Sequence, residues 1–250
     1  MRPRCLIFIC GSFCAVLRAA DVGTLVQDAL AAEHRFDSQT ALRLFLRADA
    51  ERPNDPVILQ EIARQYSDLT FDLRDPAEQK RCCNEALSYA QRAMALAPKN
   101  PVNVLSLAIC YAKIGLYSDT RTKIANSRLV KEYAEQALAL DPSYSYAHHV
   151  LGQWHYEVAS LGLASRVIVR LVYGGLPAAS TAEGIQHLRR AVELMPELPA
   201  HRVELGFALL ADGQRDAAKQ EFEQALTMPK REKYDEESWR RAREALANLK

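Results

Sequence analysis

The stretch YAEQALALDP (residues 133–142) decides the reading of this chain, because it returns in altered form as LFLRADAERP (44–53), YAQRAMALAP (89–98) and HLRRAVELMP (187–196). A fifth copy, EFEQALTMP (221–229), is one residue shorter before its proline. Aligned on the alanine near the end, the anchors are Ala48, Ala93, Ala137, Ala191 and Ala225, separated by 45, 44, 54 and 34 residues. The last spacing is the tetratricopeptide period, and the longer ones read as that period with residues added.

Other positions keep the same register. Three residues before each anchor stand Phe45, Ala90, Ala134, Leu188 and Phe222, and seven before stand Ala41, Ala86, Val130, Gly184 and Ala218. Ten residues after each proline come Ala63, Ala108, Gly152 and Gly206, followed three further on by Tyr66, Tyr111, His155 and Leu209. Offsets of three and four put these groups on one helical stripe, where a small residue lets a neighbouring helix approach closely. Gly152, His155, Gly206, Ala218, Phe222 and Ala225 are therefore expected to be packing residues, with Ala63, Tyr66, Ala108 and Tyr111. The spacing predicts first helices over 55–68, 101–116, 144–159 and 199–211, and second helices over 76–96, 123–140, 180–194 and 214–227. Each proline ends a helix because it cannot continue the hydrogen-bond ladder. Residues 24–50 read as an opening pair, and DEESWRRAREALANLK as a helix covering the last open apolar face. The insertion SLGLASRVIVRLVYGGLPAAST has room for a short helix before Gly174 and Gly175. The expected fold is all-α, a tetratricopeptide-like right-handed superhelix of antiparallel helix pairs, forming a single domain over residues 24–250.

The first twenty residues differ from the rest. Arg2 and Arg4 precede the apolar run LIFICGSFCAVL, with Ala19 and Ala20 behind it. That is the layout of a secretory signal, and the run is too short to span a bilayer comfortably. The expectation is an exported protein, periplasmic or envelope-associated, without an integral span after processing. Cytoplasm or cytoskeleton is the alternative. Beyond this run, Cys82, Cys83 and Cys110 have no disulfide-framework spacing, and the adjacent pair Cys82-Cys83 reads as helix-surface or partly buried thiols.

Charge is balanced, with 32 basic and 31 acidic side chains, so no global field favours nucleic acid. No GxSxG, phosphate-binding GxxxxGK[ST] or HExxH pattern is present, and no catalytic set, metal site or cofactor is expected. The densest group of functional side chains is QWHYEVA, from Gln153. Trp154 and Glu157 lie off the packing stripe, facing the groove or the insertion, and are candidate partner contacts. A simpler reading has Trp154 anchoring residues 160–178 against the repeats. His155 takes a packing position, and His148 and His149 read as solvated helix-end residues. Arg166, Arg170, Arg189 and Arg190 form a candidate positive strip for an acidic peptide, or an ordinary solvated face. The closing run KREKYDEESWRRAREALANLK mixes signs and reads as solubility plus capping.

The segments YAEQALALDPSYSYAHHVLGQWHYEVASLG and GGLPAASTAEGIQHLRRAVELMP, with the 34-residue final repeat, resemble the regulator of microtubule dynamics family over about residues 80–230. Gly152, Trp154, Tyr156, Glu157, Pro177 and the helix near Thr181 match its pattern, whereas SLGLASRVIV stands where the family tends to have an aromatic-containing charged stretch. The resemblance implies tetratricopeptide-like repeats and microtubule association, with membrane anchoring at organelle contacts in some animal members. The residues themselves point first to a noncatalytic scaffold that takes a protein or peptide in its concave groove. Microtubule association follows from the resemblance, and a small enzyme using the His148/His155 region is a third reading.

Overall fold

The computed structural model describes residues 21–249, which contain twelve α-helices and no strand. The apolar run at 6–17, and the export signal expected from it, lie outside the described residues. Five antiparallel pairs follow in order: α1 (Val22–His34) with α2 (Ser38–Glu51), α3 (Pro56–Leu69) with α4 (Pro76–Leu96), and α5 (Pro101–Leu116) with α6 (Thr120–Leu140). The fourth is α7 (Ser145–Ala159) with α9 (Thr181–Leu194), and the fifth α10 (Pro199–Ala211) with α11 (Arg215–Leu226). The insertion of the fourth pair holds α8 (Leu163–Tyr173), and α12 (Asp235–Asn248) lies across α10 and α11. First helices stack on first helices, α3 on α5, α5 on α7 and α7 on α10, and so line one inner face. The fold class read from the repeat is the one observed.

Local chemistry explains where the helices begin and end. Asp37, Asp55, Asp75, Asn100 and Asp119 each accept a hydrogen bond from a backbone N–H in the following first turn, at 2.8 to 3.1 Å for the shortest contact of each. Such caps satisfy donors that the helix itself leaves open. Pro56, Pro76, Pro101 and Pro199 occupy first turns, where the missing N–H is not needed. At the other end, the carbonyls of Ala48, Ala93, Ala137 and Ala191 each accept from the N–H of the capping residue four positions on. The anchor alanines are therefore both the buried packing points and the acceptors that close the last turn.

Small residues set the distance between paired helices. A Cβ on Gly152 would stand 2.9 Å from the carbonyl oxygen of Gly184 and 2.6 Å from Leu188 Cγ. A Cβ on Gly184 would meet Gly152 O, also at 2.9 Å, so α7 and α9 touch backbone to backbone. At the next pair, a Cβ on Gly206 would lie 2.5 Å from the Phe222 ring. Ala63, Ala108, Ala218 and Ala225 are buried at the corresponding crossings, and stacked tyrosine pairs, Tyr66 on Tyr89 and Tyr111 on Tyr133, flank two of them.

Cys82 and Cys83 are buried, deeper than the helix-surface or partly buried thiols expected; Cys110 is buried too, and burial pushes it up to about 12. Thiols held protonated in this way are poor nucleophiles.

The expected consequence of the α7–α9 contact is that Gly152→Ala destabilises the protein by about 1–3 kcal/mol. Overpacking against fixed backbone outweighs the roughly 1 kcal/mol that alanine gains in helix propensity. The urea midpoint of the variant measures it.

Candidate functional site

The inner face is polar, and its centre is Arg64. Glu61, Arg64, Gln65 and Asp68 follow one another at helical spacing along α3, beside the apolar stripe of Ile58, Leu59 and Ile62. Arg64 Nη1 pairs with Glu33 of α1 at 3.0 Å, and its Nη2 donates to Glu232 Oε2 at 2.8 Å. Glu232 belongs to the segment between α11 and α12, 168 residues away in sequence. The hydroxyl of Tyr146 on α7 donates to the other Glu232 oxygen at 2.7 Å. Gln65 Nε2 completes the group by donating to Glu33 at 3.1 Å.

The segment from Lys230 to Tyr234 thus crosses the inner face and returns to the opening pair. Lys233 Nζ pairs with Asp72 at 2.8 Å and donates to the Phe36 carbonyl at 2.9 Å. Lys230 Nζ lies 4.4 Å from the centre of the Phe36 ring. Asp235, at the start of α12, accepts from the N–H groups of Arg231 and Glu232 at 2.8 and 2.7 Å and fixes the turn. The chain's own peptide thus lies against the inner face, where a partner was expected to bind. The closing charged run reads from sequence as solubility plus capping: α12 does cover α10 and α11, whereas Glu232 and Lys233 are engaged in ion pairs instead of being freely solvated. Its partners lie on α3, on α7 and at the opening pair, far off in sequence.

A second polar cluster adjoins the first. His149 on α7 and His201 on α10 meet Nδ1 to Nδ1 at 3.0 Å, both buried, with Tyr146 edge-on to His201. One ring must donate and the other accept, so the two cannot both be imidazolium ions. Burial holds His149 below the usual imidazole range, and burial together with His149 takes His201 down to about 2. Further along α10, Glu204 accepts from the Tyr156 hydroxyl at 2.5 Å and pairs with Arg241 of α12, whose guanidinium lies over the Phe207 ring. On α3, burial and then the neighbouring Glu33 push Glu61 up to about 7. Burial likewise raises Asp68 to about 6, against the pull of Lys113.

The residues singled out from sequence are distributed differently from expectation. Trp154 is 4 % exposed, and its indole donates to Ser127 O of α6 at 2.8 Å, so it anchors α7 on α6 rather than standing open to a partner. The end of the insertion is held by Arg128, which donates to the carbonyls of Tyr173 and Gly175. His155 is buried and accepts from Ser180 N–H at 3.3 Å, with Glu183 Oε2 at 3.2 Å from the same nitrogen. His148 is not a free helix end: it bonds His187 at 2.9 Å and the Pro142 carbonyl at 3.0 Å. His149 is buried in the pair with His201. Among the described residues no group of three or more His, Cys, Asp or Glu is arranged to hold a metal ion. Glu157 is exposed and bonded to Gln153.

The four arginines lie on two helices, α8 and α9, and all are exposed. Arg166 and Arg170 ride on α8, which leans on α6, and Arg166 turns back to the Ala159 carbonyl. Arg189 and Arg190 are exposed on α9, with Arg190 paired to Glu193 at 3.1 Å. Sequence reasoning misses Arg64, Tyr146, Glu232, His149, His201 and Glu204 as site residues. The usable signal is the polar stripe of α3 set against its apolar one.

The buried acids and histidines act oppositely on stability. Glu61 binds a proton more tightly when folded, so its contribution grows as pH falls from about 7 toward its unfolded value near 4.5. The histidines bind one less tightly, so theirs shrinks as pH falls below about 6.5. Glu61→Gln should therefore lose about 1–2 kcal/mol relative to the parent between about pH 7 and about pH 5.5. His201→Phe should change in the opposite sense over that window. Urea titrations at the two pH values measure both.

A model of the family described as regulator of microtubule dynamics protein 1-3 matches residues 26–250. The mouse protein named regulator of microtubule dynamics protein 1 is 28 % identical over 174 residues, 68 % of this chain and 57 % of its own length. The Xenopus laevis protein 3 is 29 % identical over 138 residues, 55 % of this chain and 30 % of its own. This chain therefore spans about half or less of the length of such relatives. Among solved structures, a thermophilic TPR protein of Thermus thermophilus superposes with a TM-score of 0.68 at 19 % identity, over 90 % of this chain and 99 % of that one. The pilF protein of Pseudomonas aeruginosa gives 0.51 at 12 % identity, covering 91 % and 88 %. These two likenesses concern the fold. With the family model covering the repeats from α1 to α12, the chain belongs to the regulator of microtubule dynamics protein 1-3 family.

Proposed function

We propose that this protein is a noncatalytic interaction scaffold whose inner groove takes an extended peptide bearing a carboxylate. The carrying observation is the seat of Glu232, where Arg64 and Tyr146 each give a hydrogen bond to one carboxylate oxygen. Charge-assisted donors in that arrangement are selective for a carboxylate. On this reading the Lys230–Tyr234 segment is a resident competitor, and a partner supplies an acidic side chain in its place.

A peptide array probed with the parent and two variants tests the proposal. Glu232→Ala, which vacates the seat, is expected to raise binding of acidic peptides about tenfold, a coupling of roughly 1.4 kcal/mol. Arg64→Ala should abolish that gain. Contacts confined to the outer helices, or equal binding by all three proteins, would refute it.

Family membership favours a second reading, microtubule association, because the relatives carry that activity in their names. Co-sedimentation with microtubules at physiological salt checks it. Binding that weakens when Arg166, Arg170, Arg189 and Arg190 are neutralised is the expected outcome. No sedimentation at saturating tubulin would remove the reading.

A further inference from the structure

The helix α8 is amphipathic with its apolar side turned outward. It contributes no buried residue. Leu163 is 82 % exposed, Val167 and Ile168 55 %, Leu171 79 % and Val172 60 %. At 100° per residue these five side chains cover one half of the helix, with Arg170 along one edge and Arg166 beyond it toward the covered side. The opposite side, with Val169 and Tyr173, is the more covered one.

Two further features fix the attitude of this helix. At its C-terminus Gly174 takes a left-handed conformation, φ 78°, and Gly175 N–H reaches back to Val169 O at 3.0 Å. Arg128 of α6 then donates to Gly175 O at 3.1 Å through Nε. The helix is thus pinned at one end to the body while its apolar half stays bare. Its charge is one-sided as well, since residues 158–182 contain Arg166 and Arg170 and no acidic side chain. Eleven residues make a helix of about 16 Å, far short of a bilayer core of about 30 Å.

We propose that α8 docks on an anionic lipid surface, lying in the plane of the interface. Leu163, Val167, Ile168, Leu171 and Val172 enter the acyl boundary, and Arg170 at their edge meets the phosphate groups, with Arg166 adding positive charge nearby. A short helix with a broad apolar face and basic flanks suits that environment. Charge decides against self-pairing through α8, because a second copy would set arginines beside arginines with no acid on either helix.

Flotation of the full chain with phosphatidylcholine vesicles, with and without one-third phosphatidylglycerol, tests the proposal. Binding is expected only to the anionic vesicles. The double variant Leu163→Asp/Leu171→Asp should reduce it at least tenfold, and Arg166→Gln/Arg170→Gln should weaken it and remove its salt dependence. Both pairs are exposed, so circular dichroism and the melting temperature should match the parent and establish that the fold is intact. The proposal is overturned if the parent does not float, if the leucine variant floats equally well, or if light scattering shows a dimer that the leucine variant loses. That last result would assign the face to a second copy.

Discussion

Two helices can come into backbone contact only where side chains are nearly absent, and that constraint organises this protein. Gly152 against Gly184 is its extreme case, and the buried alanines of the other pairs are its ordinary form. Once the crossing points are small, the residues three and four positions away can be large, and Phe45, Leu188 and Phe222 fill the space beside them. The repeat in sequence follows from this geometry, since each pair must solve the same crossing with the same few residue types. Stacking then places first helix on first helix and creates an inner face that no single pair could have.

That inner face holds more charge than a repeat core usually tolerates. Glu33, Glu61, Asp68 and Glu232 surround Arg64, with Lys113 of α5 turned toward Ser67 and Thr70. Partly dry carboxylates are costly unless paired or protonated, and this site uses both remedies. Glu33 and Glu232 are hydrogen-bonded by Arg64, while Glu61 and Asp68 bind protons more readily than free acids. Electrostatic demand of this kind explains why the Lys230–Tyr234 segment lies inside rather than in solvent. It brings a carboxylate to Arg64 and a lysine to Asp72, and it joins the last pair of helices to the first.

What the sequence discloses, and what it hides, divides along local and distant interactions. Caps, prolines and anchor alanines act within a few residues, so helices such as α5 and α10 fall within a residue of their expected limits. The small crossing positions are legible for the same reason. The seat of Trp154 is not legible in the sequence because its partner, the Ser127 carbonyl, is a backbone atom with no signature there. The His149–His201 and Arg64–Glu232 contacts join residues 52 and 168 apart, and no periodicity connects them. The insertion has the composition of a helix, but its outward apolar face depends on which side α6 covers, a matter of three-dimensional placement.

The central claim is that the inner face is closed by the chain's own Lys230–Tyr234 segment through Arg64 and Glu232. A double-mutant cycle on stability, using Arg64→Ala, Glu232→Ala and the pair, addresses it directly. Coupling of about 1 kcal/mol or more is the result this account predicts. Strict additivity of the two substitutions would contradict it.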